Sequence, residues 1–174
     1  MHITRLTASD ATEYRALMLE AYEQAADAFT STAAERSHEP LSWWERRIAS
    51  PDGLSESFGA FAGKSLVGTV AIEYSAKPKT RHSALLIGMY LRPANRGSGA
   101  AGALVKAALE AAEARPEIRG IRLTVTEGNE QAIRLYKSVG FMAWGTEPQA
   151  IRTPTGFKGK VHMSLVFPRA APAA

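Results

Sequence analysis

The chain has 174 residues, of which 45% are apolar and 22% charged, and it contains no cysteine. This length corresponds to about one domain with a substantial core, and the lack of cysteine excludes disulfides, thiolate metal sites and a cysteine nucleophile. Residues 1–50 carry five Lys/Arg and eight Asp/Glu, a net charge of −3, whereas residues 51–174 carry sixteen and nine, a net charge of +7. The basic part is typical of a surface that binds an anion and equally of an ordinary solvated surface.

The N-terminal part of the sequence predicts one strand and two helices. Ile3–Leu6 alternates as a short strand does. Asp10 and Glu13 fit a capping box, and apolar residues then recur at helical spacing. Residues 26–40 predict a loop or a broken helix, and a further short helix ends near Ile48.

The middle of the chain is typical of strands. Phe58–Ala62 and Leu66–Tyr74 predict an antiparallel hairpin, and a basic loop follows over residues 75–82. Ala84–Leu91 is the most apolar run of the chain, and we interpret it as a buried central strand.

The remaining sequence alternates helices with strands. We predict helices over residues 101–114 and 129–139, and strands over residues 121–125, 141–149 and 161–167. Asn129 is a suitable residue to cap the second of these helices, and Gly140 lies where a C-terminal glycine cap belongs. The order predicts one mixed α/β domain over residues 1–168, with a flexible tail at residues 169–174.

No stretch approaches the roughly 18 apolar residues that a membrane span requires, and the N-terminus lacks the apolar core of an export signal. We therefore expect a cytoplasmic protein that binds no membrane.

The loop at residues 92–102 carries the clearest chemical signal. It joins the central strand to a helix, and its small residues allow an anion to approach the backbone N–H groups. The helix N-terminus adds free amides and the positive end of a dipole, and Arg96 adds a guanidinium suited to phosphate oxygens. The loop therefore predicts a pyrophosphate site.

The same loop also fits the dinucleotide fingerprint G-x-G-x-x-G, through Gly97, Gly99 and Gly102. That match is weak, because residues 93–96 separate the first glycine from the strand. The acidic residue expected about twenty positions later would be Glu117, which lies before the next strand rather than at its end.

A second pattern in the loop is Arg-x-x-Gly-x-Ala, formed by Arg96, Gly99 and Ala101. It resembles the acyl-CoA signature of the GNAT family of N-acetyltransferases, and residues 129–141 resemble the family's Asn-x-x-Ala-x-x-Leu-Tyr-x-x-x-Gly-Phe segment at every fixed position. The order of strands and helices also fits the family over nearly the whole chain.

This resemblance implies the GNAT fold, a mixed and mostly antiparallel sheet of about seven strands flanked by about four helices. It also implies an enzyme that uses acetyl-CoA without a metal and passes the acetyl group directly to an amine in a ternary complex. A non-catalytic CoA-binding sensor is the main alternative, and a nucleic-acid-binding protein is a weaker one that we do not expect.

The resemblance assigns roles to residues of this chain. Backbone groups of the central strand would pair with the pantetheine arm, the loop amides would hold the pyrophosphate, and Tyr136 would protonate the departing thiolate. The implied cofactor-binding residues are Met89, Tyr90, Leu91, Arg96, Gly97, Ser98, Gly99, Ala100, Ala101, Asn129 and Tyr136.

The general base is less clear than the acid. Many relatives carry a glutamate on the central strand where this chain has Leu85. Glu73 on the neighbouring strand is the best substitute, Glu127 and His82 are further alternatives, and a chain of waters to bulk solvent would also serve.

The acceptor stays open between a small amine, an amino acid, an antibiotic, and a protein N-terminus or lysine. The adjacent Trp43 and Trp44 suit either the core or the wall of the acceptor pocket. Homodimer formation is a further expectation.

Overall fold

The structure is a computed structural model, and it describes residues 1–168. The predicted flexible tail, residues 169–174, lies outside the described residues. The elements, in chain order, are β1 (His2–Arg5), α1 (Ala11–Gln24), α2 (Ala33–Ser37), α3 (Leu41–Ile48), β2 (Ser55–Ala62), β3 (Ser65–Tyr74), β4 (Ser83–Leu91), α4 (Ala100–Glu113), β5 (Gly120–Thr126), α5 (Glu130–Ser138), β6 (Met142–Thr153) and β7 (Gly156–Val166).

The seven strands form one sheet in the order β1-β2-β3-β4-β5-β7-β6. All neighbouring strands are antiparallel except β4 and β5, which are parallel. This confirms the mixed, mostly antiparallel sheet of seven strands.

The described residues form five α-helices rather than about four. The additional helix is α2, which lies in the segment predicted as a loop or a broken helix. Thr32 and Glu35 form a capping box at its N-terminus, with the Thr32 N–H donating to Glu35 Oε2 at 2.7 Å. This box is a local signal that stabilises a helix too short to show an apolar period.

Two further predictions about local structure were wrong. The capping box near residue 10 joins Thr7 to Asp10, not Asp10 to Glu13, because the chain first makes a short 3-10 turn. The last two strands are longer than predicted and are joined directly at residues 154–155, so that β6 and β7 form one long hairpin.

Apolar side chains pack on both faces of the sheet. Leu104, Val105 and Ala108 of α4 pack on one face, while Tyr14 and Leu17 of α1 belong to a second cluster on the other face. Side chains alternate between the two faces along each strand. Two consecutive residues of β2, or of β3, therefore lie on opposite faces of the sheet.

A gap opens between the two parallel strands. β4 and β5 pair only over Ser83–Leu85 and Gly120–Arg122, and they diverge beyond this point. The pairing of β4 with β3 becomes irregular shortly after this point, between Ile87 and Tyr90, where Gly88 has a φ of +63°. A glycine adopts this left-handed conformation at little cost, and the resulting bulge bends the strand. The second half of β4 therefore borders the gap.

Within residues 1–168, no helix is long and apolar enough to cross a membrane.

Candidate active site

Two adjoining cavities lie at the gap between β4 and β5. The loop cavity has a volume of about 800 Å³ and reaches the loop before α4. The sheet cavity has a volume of about 670 Å³ and lies between the sheet and the N-terminal helices. Seven residues line both cavities: Ala28, Phe29, Met89, Thr126, Asn129, Ala132 and Leu135.

The loop cavity provides backbone amides for an anion. Gly97 and Gly99 have φ angles of +77° and +83°, and a Cβ at either position would meet no atom within 4 Å. A ligand can therefore approach the backbone closely. The N–H of Ala103 donates to the Gly99 carbonyl at 3.1 Å, and the earlier N–H groups of the helix have no intrahelical acceptor. The arrangement fits a pyrophosphate at the N-terminus of α4.

Most of the predicted cofactor-binding residues come together along this cavity. Its lining includes Met89, Tyr90, Leu91, Arg96, Gly97, Gly99, Ala101 and Asn129. Within the described part of the chain, Ser98 and Ala100 line neither cavity. The Ser98 hydroxyl donates to the Asn95 carbonyl at 2.7 Å, and the side chain of Ala100 is buried.

Arg96 and Tyr90 each have a protein partner already. Arg96 Nε donates to the carbonyl of Leu91 at 3.3 Å, so this carbonyl, which the resemblance assigned to the pantetheine arm, already accepts a hydrogen bond. The Tyr90 hydroxyl donates to Glu20 Oε1 at 3.1 Å, and Arg92 forms a salt bridge with the same carboxylate at 2.8 Å. These contacts attach α1 to the end of β4.

Asn129 acts as the predicted helix cap. Its Oδ1 accepts a hydrogen bond from the Ala132 N–H at 3.2 Å, and the residue lies where the two cavities meet. The cap fixes the start of α5, and two turns later this helix presents Tyr136 to the sheet cavity.

Tyr136 is 6% exposed and packs edge to face against Phe141, with ring centroids 5.7 Å apart. Burial raises the pKa of the Tyr136 phenol well above its usual value, because the phenolate is the form that loses hydration. The hydroxyl is therefore protonated at physiological pH and available as a donor.

The candidate bases differ in position. Glu73 lines the sheet cavity, and it lies directly across from Leu85 in the pairing of β3 with β4. Glu127 lines the loop cavity instead, where its Oε2 accepts from the Gly159 N–H at 3.2 Å. His82 lines neither cavity within residues 1–168. Only Glu73, among these three, shares a cavity with Tyr136.

The sheet cavity also contains charged residues that sequence analysis missed. Arg36, Arg47 and Lys160 line it together with the carboxylate of Glu147. They come from α2, α3, β7 and β6, so that no spacing in the sequence connects them. The sequence carried no signal for the burial of Lys160, which lies just before the predicted strand 161–167 and is 8% exposed. Burial lowers the pKa of Lys160, and nearby Glu147 partly opposes this shift.

The two adjacent tryptophans have different environments. Trp44 is fully buried in the core beside α1. Trp43 lies under two guanidinium groups, with Arg36 and Arg47 centred 4.8 and 5.2 Å from its ring. Trp43 thus positions two arginines of the cavity wall.

Among residues 1–168, no three His, Asp or Glu side chains form a group that could hold a metal ion.

The sequence and structure are similar to those of known acetyltransferases. The model of the acetyltransferase (GNAT) family matches residues 18–141. The L-amino acid N-acetyltransferase AaaT of Escherichia coli is 29% identical over 103 residues, which cover 59% of this chain and 62% of that protein. The chain thus matches less than two thirds of the length of this curated relative.

Solved structures share the fold over nearly their whole length. The yncA protein of Salmonella typhimurium, solved with its cofactor acetyl-CoA, has a TM-score of 0.79 and 21% identity, covering 100% of this chain and 98% of that one. A ribosomal-protein-alanine N-acetyltransferase from Brucella melitensis has a TM-score of 0.79 and 23% identity, covering 96% and 100%.

Proposed function

Since the chain belongs to the acetyltransferase (GNAT) family, we propose that it transfers the acetyl group of acetyl-CoA directly to a primary amine within a ternary complex. The observation that carries this proposal is the connection between the two cavities. The loop cavity suits the pyrophosphate end of a donor, and the sheet cavity holds a phenol and a carboxylate. The seven shared residues form the place where donor and acceptor would meet.

The residues present fit acetyl-CoA. The amides before α4 would hold the pyrophosphate, and Met89 borders the gap between β4 and β5, where its backbone would meet the pantetheine arm. When bound, acetyl-CoA supplies a thioester whose carbonyl carbon is open to attack by an amine. The yncA structure, which contains acetyl-CoA, supports this choice of donor.

Tyr136 would stabilise the departing sulfur. A thiol has an ordinary pKa of about 8.5, whereas burial holds the pKa of the Tyr136 phenol above its usual value near 10. Complete transfer of the phenolic proton to the thiolate is therefore uphill. The hydroxyl would act mainly as a hydrogen-bond donor to the sulfur, and the thiolate would take its proton from solvent or from the acceptor.

Glu73 would receive the acceptor. Its carboxylate lines the sheet cavity and is 40% exposed, so that it can accept a hydrogen bond from an ammonium and still exchange protons with water. An amine must lose a proton before it attacks a carbonyl carbon. Glu73 would hold the ammonium in place and pass this proton to solvent.

Ligand binding and product release test the proposal together. Acetyl-CoA at 100 times its Kd should stabilise the chain by about 2.7 kcal/mol, which corresponds to a rise of roughly 5–10 °C in Tm. Adding a panel of primary amines should then release free CoA, measured with a thiol reagent. Stabilisation by NADH but not by acetyl-CoA would contradict the proposal. Stabilisation by acetyl-CoA without release of CoA would favour the alternative, a non-catalytic CoA-binding sensor.

Replacing Tyr136 by Phe tests the role of the hydroxyl. We expect kcat to fall about 10- to 100-fold, the effect of losing one hydrogen bond to a charged group, while the Kd for acetyl-CoA stays nearly constant. Steady-state kinetics and calorimetric titration measure the two quantities. An unchanged kcat would remove Tyr136 from the mechanism.

Homodimer formation stays a prediction. Exposed apolar side chains on β6 and β7, including Met142, Trp144 and Phe157, offer a surface for it. Light scattering coupled to size-exclusion chromatography would measure the mass in solution.

A further inference from the structure

In the sheet cavity, a cationic and an anionic side chain lie next to each other. This arrangement complements the carboxylate and the ammonium of an amino acid. Arg47 Nη1 lies 4.0 Å from Glu73 Oε1, at the limit of a salt bridge. Both side chains line the cavity and both keep part of their surface exposed, 23% and 40%. Since an isolated pair at this distance contributes little to stability, the pair is poorly explained as a structural contact.

The Arg47 guanidinium is also short of hydrogen-bond partners. Its Nε is buried without an acceptor, and in the described residues its only charged contact is the long one to Glu73. The buried hydroxyl of Tyr14 lies close to Arg47 and to the hydroxyl of Ser57, but no hydrogen bond of good geometry joins these atoms. A buried polar group without a partner costs free energy, and of these three residues Arg47 is the one that lines the cavity, where a ligand can complete its hydrogen bonds.

Arg36, on the same wall, shows the opposite situation. Its Nε and Nη2 donate to the Ser31 hydroxyl at 3.2 and 3.0 Å, and its Nη1 lies 3.4 Å from Glu39 Oε1. Both arginines lie over the ring of Trp43. The cavity therefore contains one arginine with several hydrogen-bond partners and one whose Nε has none.

We propose that Arg47 and Glu73 form a clamp for the acceptor, in which Arg47 binds a carboxylate and Glu73 binds the ammonium on the adjacent carbon. The preferred acceptors are then free α-amino acids rather than simple amines or protein N-termini. An α-amino acid places its two charges one carbon apart, so that it can lie antiparallel to the Arg47–Glu73 pair. Arginine suits this role because its planar donors match the two carboxylate oxygens. The inference rests on the proposed function, which supplies the reaction.

The test compares acceptors that differ only in the carboxylate. After a screen of the common L-amino acids, the best one is compared with its amide, its decarboxylated amine and a dipeptide that begins with it. We expect kcat/KM to be about 10- to 100-fold higher for the free amino acid, the effect of a charge-assisted pair. Equal or faster transfer to the amine or the dipeptide would overturn the clamp.

Arg47→Met tests the residue itself, and Arg36→Met is the matched control. Arg47→Met should remove most of the preference for the free acid by raising its KM, while kcat/KM for the decarboxylated amine changes less than about threefold. Arg36→Met should retain the preference. An equal loss on both acceptors in Arg47→Met would show a merely structural role and overturn the proposal.

Calorimetry separates this inference from the proposed function. The best amino acid is titrated into the protein with CoA present, so that no transfer occurs. Binding that Arg47→Met weakens and Arg36→Met does not would support the clamp even if no acetyl transfer were found. Binding that is the same in all three proteins would overturn the clamp even if transfer were found.

Discussion

Two polar clusters lie on opposite faces of β2, around the neighbouring residues Glu56 and Ser57. Glu56 is 4% exposed and fully partnered: the Tyr74 hydroxyl donates to it at 2.7 Å, and Arg5 and Arg115 lie 3.2 and 3.4 Å from its oxygens. Ser57 is also buried, but neither its hydroxyl nor that of neighbouring Tyr14 makes a hydrogen bond of good geometry.

This difference indicates that the cluster around Glu56 contributes to stability and the cluster around Ser57 to ligand binding. Around Glu56, charges and hydrogen bonds close on one another, and the Arg115 guanidinium covers the Tyr74 ring at 3.6 Å. Around Ser57, polar atoms stay unpaired next to a cavity that contains Arg47 and Glu73. We expect substitutions in the first cluster to reduce stability and substitutions in the second to change binding.

The largest effect on stability is expected for Glu56→Gln. The change leaves Arg115 and Arg5 without their carboxylate, and removing one member of a buried ion pair is strongly destabilising. Because both arginines are partly exposed, we expect a loss of about 2–3 kcal/mol, or roughly 5–10 °C in Tm. Chemical denaturation would measure the free energy of unfolding. A loss under about 0.5 kcal/mol would contradict the proposed difference between the two clusters.

Lys160→Met should have a smaller effect of opposite sign. Lys160 lies in the sheet cavity, and burial lowers its pKa. Since the folded pKa lies below the unfolded value of about 10.4, Lys160 destabilises the folded state most at neutral pH, and this cost disappears as the pH rises toward 10.4. We expect a gain of about 0.5–1 kcal/mol at pH 7, the lower part of the range for a single stabilising substitution. Unfolding curves from pH 7 to pH 10 should show the gain shrinking, and a constant gain would contradict the electrostatic cause.

The smallest effect is expected for Tyr14→Phe, with Tyr74→Phe as its matched control. Burial raises the pKa of Tyr14 to about 12, so the group lost is a neutral hydroxyl, and it makes no hydrogen bond of good geometry to its neighbours Arg47 and Ser57. Its removal should leave stability unchanged or raise it by up to about 1 kcal/mol. Tyr74→Phe removes a hydrogen bond to Glu56 and should cost about 1–2 kcal/mol. Equal losses in the two variants would remove the distinction between the clusters.

The loop cavity could be predicted from the sequence because the groups that form its anion site lie next to one another in the chain. A glycine-rich loop followed by a helix brings amides together within a few residues, whatever the rest of the fold does. The Asn129 cap and the position of Tyr136 on α5 follow in the same way from the spacing of one helix. The family resemblance was carried by these same segments, and the fold class followed from it.

The sheet cavity was decided by the tertiary structure. Arg47 and Glu73 are 26 positions apart in the sequence, and they meet only because α3 packs against β2, the strand next to β3. Which buried polar atoms find partners is likewise a property of packing. Glu56 and Ser57 are adjacent in the sequence, and the pleat of β2 turns them to opposite faces, where one is satisfied and the other is not. The sequence by itself therefore determined the fold and predicted a backbone site for an anion, whereas only the packing of helices on the sheet decided the side chains that would select the acceptor.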